Sequence, residues 1–251
     1  MVLSKEDELF AARILDIAVQ AEQKMYPKFT MFLDERQTYL ADLQLRKNHC
    51  SNYLFFGGYK GAQRQMLGVF PGYMEPDPGA YPIVGLKLTY RKEEKLSHRD
   101  FLGSFMALGV KREVLGDILV GEGQTVVCLY EKQFDYFTDN LRKIGRVGVT
   151  LTSSDLNDVS YTPSFRKIEG TVASMRLDSI VSLAVGVSRE KAAERIRAGL
   201  VMLNYAVVET VSVLVKPGDI FSVKGTGKFV LTEEIRETKK GRLYLTINQY
   251  I

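Results

Sequence analysis

Apolar side chains at helical spacing mark the start of the chain. Leu9, Ile14 and Ile17 lie on one broad stripe, which predicts an amphipathic helix that Pro27 ends. Ser4 is the predicted N-cap, and the acidic residues that follow it suit the positive end of the helix dipole.

The rest of the first segment predicts a second helix and two short strands. A turn and helix start lie at Phe32–Gln37, while apolar runs at Cys50–Phe56 and Gln65–Phe70 predict strands joined through Gly57–Ala62. Four of the seven prolines fall within Pro71–Pro82, so we place a domain boundary near residue 80.

The middle segment alternates between strand and helix patterns. The predicted elements are strand Ile83–Tyr90, a helix from Ser97 to Leu108, strands Ile118–Val120 and Thr125–Tyr130, helix Lys132–Ile144 and strand Val147–Leu151. This β-α-β-β-α-β order resembles a ferredoxin-like split βαβ unit, the topology that RNA-recognition domains also use. The aromatic base-stacking motifs of those domains are not visible in the pattern.

The third segment predicts two consecutive helices followed by short strands. The first helix opens at Arg176–Asp178 and closes at Gly186; the second has Ser188 as its cap and Gly199 as its terminating glycine. We therefore predict an α+β protein of three small domains, an N-terminal α/β domain at 1–80, a ferredoxin-like (RRM-like) domain at 81–165 and a C-terminal domain at 166–251.

Composition excludes several classes of protein. The 251 residues are 45% apolar and 25% charged, which is ordinary for a folded globular protein. Cys50 and Cys128 are too few for a disulfide framework, and with only His49 and His98 besides we expect no metal site and no cofactor. The chain has no apolar run long enough to cross a bilayer and its acidic start has no signal-peptide pattern, so we expect a cytoplasmic protein without membrane insertion.

Positive charge is concentrated in the last third of the chain. Residues 166–251 hold 14 basic and 9 acidic side chains, a net charge of +5, whereas the other two segments are close to neutral. A basic surface of this kind attracts phosphate, but charge alone does not separate that function from an ordinary solvated surface.

Motifs in the third segment resemble the S4 domain, a small RNA-binding module named after a small-subunit ribosomal protein. The matching residues are, in order, Arg176–Asp178, Ser188, Arg189, Ala193, Ile196, Gly199, Val201, Asn204 and Lys216–Asp219. Tyr205 departs from the generic pattern, which has glycine after the asparagine, and a bulky aromatic residue there is similar to one branch only.

Further motifs extend the resemblance to the YlmH family throughout the chain. They are Phe32–Gln37, Gly57–Ala62, His98–Gly103, Arg112–Asp117, Ser222–Phe229 and Thr238–Arg242. The resemblance implies a bacterial, cytosolic, three-domain protein encoded among cell-division genes. It further implies binding to rRNA and tRNA on the large ribosomal subunit, where the family and its shorter relative RqcP support rescue of stalled peptidyl-tRNA.

The resemblance also directs attention to basic residues at the starts of the two S4 helices. The expected RNA-binding residues are Arg176, Ser188, Arg189, Lys191, Arg195 and Lys228. Arginine can fork onto phosphate oxygens, whereas lysine acts as a point charge, so such a surface recognises folded RNA by shape and phosphate spacing. We interpret Asp178 as a structural orienter of Arg176 or a helix cap, and Tyr205 as a packing residue. Lys224, Lys239, Lys240 and Arg242 either extend the surface or are merely solvated.

No catalytic constellation emerges from the motifs, so we expect a non-enzymatic protein. The sequence of His98–Asp100 matches the start of a kinase catalytic loop, but the accompanying kinase motifs are missing from the sequence. Asp100 is explained as a helix cap. A weaker alternative is an active site in the N-terminal domain around Asp34, Arg36 and Tyr59. The main alternative function is a cell-division-associated interaction protein in which RNA binding is secondary. The default oligomeric state is a monomer.

Overall fold

The computed structural model describes residues 4–157, 159, 165–239 and 241–250. The chain divides into two compact units, residues 2–162 and residues 163–251. The described residues of unit 2–162 form three hydrophobic clusters, and those of unit 163–251 form one. The fold is α+β, as the sequence predicts.

The first part of unit 2–162 packs two helices against a three-stranded antiparallel sheet with strand order β1-β3-β2. Its elements are α1 (Lys5–Lys24), β1 (Lys28–Phe29), α2 (Glu35–Lys47), β2 (Tyr53–Phe56) and β3 (Met66–Val69). The Ser4 hydroxyl accepts a hydrogen bond from the Asp7 backbone N–H at 3.1 Å, which confirms the predicted cap. Asp34 caps α2 in the same way, accepting from the Gln37 backbone N–H at 2.8 Å.

The second part of this unit has the predicted ferredoxin-like topology. Its main elements are β4 (Ile83–Thr89), α3 (His98–Met106), β5 (Leu115–Val120), β6 (Gln124–Tyr130), α4 (Phe134–Asn140), β7 (Lys143–Ile144), β8 (Val147–Gly148) and β9 (Thr150–Ser154). The four-stranded sheet has the order β5-β6-β4-β9, and every neighbouring pair is antiparallel. This is the order that a split βαβ unit produces.

The predicted helix Lys132–Ile144 is too long. The α-helical part ends at Asn140, and Ile144 instead pairs with Val147 across a tight antiparallel hairpin. Gly145 has φ +57° in that hairpin, a backbone conformation that glycine adopts without steric cost. The chain therefore reverses direction here and the helix does not continue. Ile144 is fully buried in the hairpin, so its apolar character fits either structure.

One face of the ferredoxin-like sheet is covered by the N-terminal residues of the same unit. Phe32 is 1% exposed and packs with Tyr59, Tyr81 and Cys128 in one hydrophobic cluster. A Cβ atom added at Gly116 on β5 would lie 2.6 Å from the Phe32 ring, so the two layers are in close contact. RNA-recognition domains stack bases on an open sheet face, and this part of the face is closed. The boundary near residue 80 stays a prediction, since a shared core crosses it.

The described residues of unit 163–251 form two helices and a six-stranded antiparallel sheet. The elements are β10 (Phe165–Val172), α5 (Leu177–Val185), α6 (Arg189–Arg197), β11 (Val201–Leu203), β12 (Ala206–Val207), β13 (Ile220–Val223), β14 (Gly227–Glu237) and β15 (Leu243–Tyr250). The strand order is β10-β15-β14-β13-β11-β12. The sequence did not predict β10.

The two helices of this unit bury their apolar sides against the sheet. Ile180 and Val181 of α5, with Ala192 and Ile196 of α6, are fully buried in one cluster with the inner strands. Gly186 ends α5 with φ +70°, so the predicted terminating glycine is confirmed.

Candidate nucleic-acid interface

A buried carboxylate joins the starts of the two helices in unit 163–251. Asp178 Oδ1 accepts a hydrogen bond from Arg176 Nε at 3.1 Å, and Asp178 Oδ2 accepts from Arg176 Nη2 at 3.1 Å and from Arg189 Nη2 at 2.8 Å. The Asp178 side chain is 7% exposed, whereas Arg176 is 37% and Arg189 54% exposed. The carboxylate thus orients two guanidinium groups that stay accessible. We call these three residues the Asp178 cluster.

Electrostatics keep this carboxylate ionised. Burial raises the pKa of Asp178, but the hydrogen bonds from Arg176 and Arg189 outweigh burial and lower the pKa to about 2. The hydrogen bond to Asp178 in turn raises the pKa of Arg176. Two positive charges against one negative charge leave the cluster able to attract an anion.

Local backbone contacts fix both arginines. Arg176 precedes the first turn of α5, where the Leu177 backbone N–H donates to the Val213 carbonyl oxygen at 2.8 Å. Ser188 is the N-cap of α6, and its hydroxyl accepts from the Lys191 backbone N–H at 3.2 Å. Ser188 therefore positions Arg189, the first residue of the helix.

Two further predicted residues are associated with the β13–β14 hairpin: Arg195 contacts it and Lys228 belongs to it. Arg195 Nη1 donates to Thr226 Oγ1 at 3.2 Å. Lys228 Nζ lies 4.7 Å from the centroid of the Tyr250 ring and 5.4 Å from that of Tyr205, which is cation–π distance. Tyr205 thus contacts its own domain, as the packing interpretation expects.

The structure gathers the six predicted residues around α6. The Asp178 cluster and Ser188 lie where its first turn begins, Lys191 is exposed on the next part, and Arg195 reaches the hairpin that carries Lys228. Their contacts with RNA stay a prediction.

Sequence reasoning missed a cavity beside Arg189. It has a volume of about 370 Å³, and Arg189 shares its lining with Ser179, Ser182 and Arg242. Arg242, which precedes β15, donates from Nη2 to the carbonyl oxygen of Thr171 on β10 at 2.9 Å, a contact between distant parts of the sequence that no local signal reveals. Lys224 and Lys239 are exposed, and Lys240 lies outside the described residues.

The residues of the alternative N-terminal active site each have a structural partner. Asp34 caps α2, Arg36 Nη2 lies 2.6 Å from Asp7 Oδ2, and the Tyr59 hydroxyl donates to Asp117 Oδ2 at 2.7 Å. The Asp100 carboxylate accepts from the Ser97 backbone N–H and hydroxyl, which supports its interpretation as a helix-start residue.

Two kinds of feature are absent from the described part of the chain. No group of three or more His, Cys, Asp or Glu side chains there is placed to hold a metal ion. None of the helices in that part combines the length and the apolar character needed to span a bilayer.

Two family models match the chain, and together with the fold they define its class. The model of the S4 domain matches residues 175–221, and the model described as "Putative RNA-binding domain in YlmH" matches residues 76–158. The chain therefore has the architecture of an RNA-binding protein with an S4 domain in its C-terminal unit.

Individual proteins similar to the chain support the same architecture. The chain is 29% identical over 247 residues to "Ribosome-associated protein quality control protein P2" of Bacillus subtilis (strain 168), an alignment that covers 98% of this chain and 96% of that protein. A solved structure, "Cell division protein ylmH from Streptococcus pneumoniae", is 24% identical with a TM-score of 0.52, covering 61% of this chain and 94% of that chain, and supports the fold. The chain therefore combines a YlmH-type RNA-binding domain with an S4 domain and is similar to this relative over nearly its whole length, which confirms the resemblance seen in the sequence.

Proposed function

We propose that this protein is a non-catalytic RNA-binding protein that contacts structured rRNA and tRNA on the large ribosomal subunit, in rescue of stalled peptidyl-tRNA complexes. The Asp178 cluster carries the proposal, because a buried carboxylate holds Arg176 and Arg189 in place while leaving both accessible. The name of the Bacillus relative, a ribosome-associated quality control protein, supports the ribosomal context.

The geometry suits a phosphate backbone. A preoriented guanidinium loses little side-chain entropy when it binds a phosphate oxygen, and its fork can donate two hydrogen bonds at once. Lys191, exposed on α6, adds positive charge near the same helix start. Contacts of this type recognise the shape of folded RNA without reading base sequence.

Structural roles account for the polar groups that were considered for catalysis. Asp34 and Asp100 stabilise helix starts, and Tyr59 binds Asp117. We further propose that the protein binds the ribosome in the cytoplasm as a monomer, without a cofactor.

The test removes one charge from the Asp178 cluster without leaving the carboxylate unpartnered. Replacing both arginines by alanine would strand the buried carboxylate and destabilise the domain. Arg189→Gln keeps a hydrogen-bond donor for Asp178, while Arg176 stays bidentate. We expect this variant to bind purified bacterial large subunits severalfold more weakly in sedimentation at moderate salt.

Arg166→Gln is the matched control, because Arg166 is an exposed arginine on β10 of the same unit. It should bind nearly as well as the wild type. Equal binding by Arg189→Gln and the wild type, with unchanged melting temperatures, would remove the assigned surface. Recovery of the protein in a membrane-associated fraction and in no ribosomal fraction would favour the cell-division alternative.

A further inference from the structure

The middle domain contains a basic groove on its helical side. The groove lies between α3 and the β7–β8 hairpin and encloses about 580 Å³. Its cationic lining residues are Arg99, Arg142 and Lys143, and two glycines, Gly103 and Gly145, line it as well. It is separate from the Asp178 cluster, which belongs to the other compact unit.

We propose that this groove is a second RNA-binding site, which takes the phosphate backbone of structured RNA. RNA-recognition domains, which share this topology, bind RNA on the sheet face, but here Phe32 and its neighbours cover part of that face. The groove on the helical side brings three accessible positive charges to one concave surface.

The cations of the groove are available to an external anion. Arg99, Arg142 and Lys143 are all exposed, and none of them forms an ion pair within the described residues. Arg142 Nη1 donates to the Thr138 carbonyl oxygen at 2.6 Å, which anchors its side chain at the end of α4. Asp100 also lines the groove, and its carboxylate accepts from the Ser97 backbone N–H at 2.8 Å and hydroxyl at 2.6 Å. These hydrogen bonds favour the ionised carboxylate, so the three cations and Asp100 together give the lining a net charge of +2.

The hairpin that carries Lys143 is attached to α3. Ser104 Oγ accepts a hydrogen bond from the Gly145 backbone N–H at 3.1 Å and donates to the Asp100 carbonyl oxygen at 2.8 Å. Both walls of the groove are thereby held in place, so little ordering is required when a ligand binds.

Gly103 gives independent support. It lies in the interior of α3, where glycine lowers helix stability relative to alanine, and it is exposed. A Cβ atom added at this position would meet no atom within 4 Å, and its φ is not in the left-handed region. Neither packing nor backbone conformation requires glycine here. In the proposed complex, close approach of an RNA backbone to the wall of the groove would account for the glycine.

The experiment compares full-length variants for binding to purified bacterial large ribosomal subunits over a range of salt concentrations. Arg99→Glu/Lys143→Glu should weaken binding about tenfold or more and reduce the salt slope by about two, because two phosphate contacts are lost. Lys95→Glu/Lys132→Glu is the matched control: both lysines are exposed in the same domain, lie outside the groove and give the same change in net charge.

Gly103→Ala separates binding from folding. It should raise the melting temperature by about 2 °C or more, since alanine favours the helix, and yet weaken binding severalfold because the methyl group occupies the wall of the groove. Full binding by either the groove double variant or Gly103→Ala overturns the inference, as does an equal loss in the Lys95/Lys132 control. Arg189→Gln, measured in parallel, tests the Asp178 cluster separately, so the failure of one site is distinguishable from the failure of the other.

Discussion

Asp178 and its two arginines illustrate how one residue couples stability to function. A buried carboxylate that lost its partners would be strongly destabilising, so Arg176 and Arg189 are needed by the fold as well as by the proposed RNA contact. In the proposed complex, phosphate would accept hydrogen bonds only from the donors that Asp178 does not occupy. The same carboxylate therefore fixes the arginines and limits which of their N–H groups are available for the proposed contact.

This arrangement predicts a specific dependence of stability on pH. The pKa of Asp178 falls from an ordinary value of 3.8 to about 2 on folding. Its contribution to the free energy of unfolding is therefore fully present above pH 3.8 and is lost as the pH falls toward 2. The contribution is about 2 kcal/mol. In denaturant unfolding of the full chain, wild type and Asp178→Asn should differ by about this amount at neutral pH and converge near pH 2.

Parallel curves for the two proteins across that pH range would contradict this assignment. Asp100→Asn is a useful comparison, since the hydrogen bonds from Ser97 also lower the pKa of the exposed Asp100. Asp100 lies in the other compact unit, so Asp100→Asn should not change the difference in stability that Asp178→Asn causes.

At the scale of elements, the turn between β11 and β12 depends on a side chain that bridges two loops. Asn204 and Tyr205 both have positive φ, 47° and 63°, which is unfavourable for residues other than glycine and more tolerable for asparagine. Asn204 Nδ2 donates to Asp219 Oδ1 at 2.8 Å, and its Oδ1 accepts from the Ile220 backbone N–H at 3.1 Å. These bonds tie the turn to the Lys216–Asp219 loop and compensate for the backbone strain.

Asn204→Ala should therefore destabilise unit 163–251 by about 2 kcal/mol, through two lost hydrogen bonds and a less tolerant residue at positive φ. Denaturant unfolding measures the change. Val207→Ala, an exposed substitution on β12, should have less than half this effect. Comparable losses in the two variants would mean that the bridge contributes little.

Local signals made some elements predictable and left others hidden. The start and end of α6 follow from Ser188 and Gly199, which act within a few residues of themselves. Strand β10 has no such signal, because its pairing partner is β15, where Phe165 lies opposite Tyr250. β10 forms a strand because it pairs with this distant segment of the chain.

The contacts of the candidate site also divide into those that the local sequence predicts and those that only the fold reveals. The pairing of Arg176 with Asp178 joins neighbours in sequence, and the sequence predicted Asp178 as an orienter or a cap. The hydrogen bonds from Arg189 to Asp178 and from Arg195 to Thr226 join separate elements, so only the fold reveals them. The groove beside Gly103 is hidden for this reason too, since α3 and the β7–β8 hairpin are far apart in sequence.

At the scale of the whole molecule, the shared core determines how the chain should unfold. Residues 2–162 form one compact unit although they contain separate three-stranded and four-stranded sheets besides the β7–β8 hairpin, because Phe32, Tyr81 and Cys128 pack in a single cluster. Burial raises the pKa of Cys128 to about 12, which keeps its thiol neutral inside this cluster. A boundary near residue 80 would cut through these contacts.

We therefore predict that the N-terminal and ferredoxin-like segments unfold together and separately from unit 163–251. Phe32→Ala should lower the stability of the first unit by about 3–5 kcal/mol, since it removes a ring that is 1% exposed and leaves a cavity against Gly116. Phe229→Ala is the reciprocal variant, because Phe229 is fully buried in the other unit. Hydrogen exchange on the full chain measures both.

The pattern of exchange decides between two and three folding units. In the Phe32→Ala variant, amides of β4 and β6 should lose protection together with those of α1 and α2, while those of α5 and α6 keep it. The Phe229→Ala variant should show the reverse. If Phe32→Ala exposed only residues before about residue 80 and left β4 and β6 fully protected, the shared core would not couple the two segments, and three independent domains would describe the chain better.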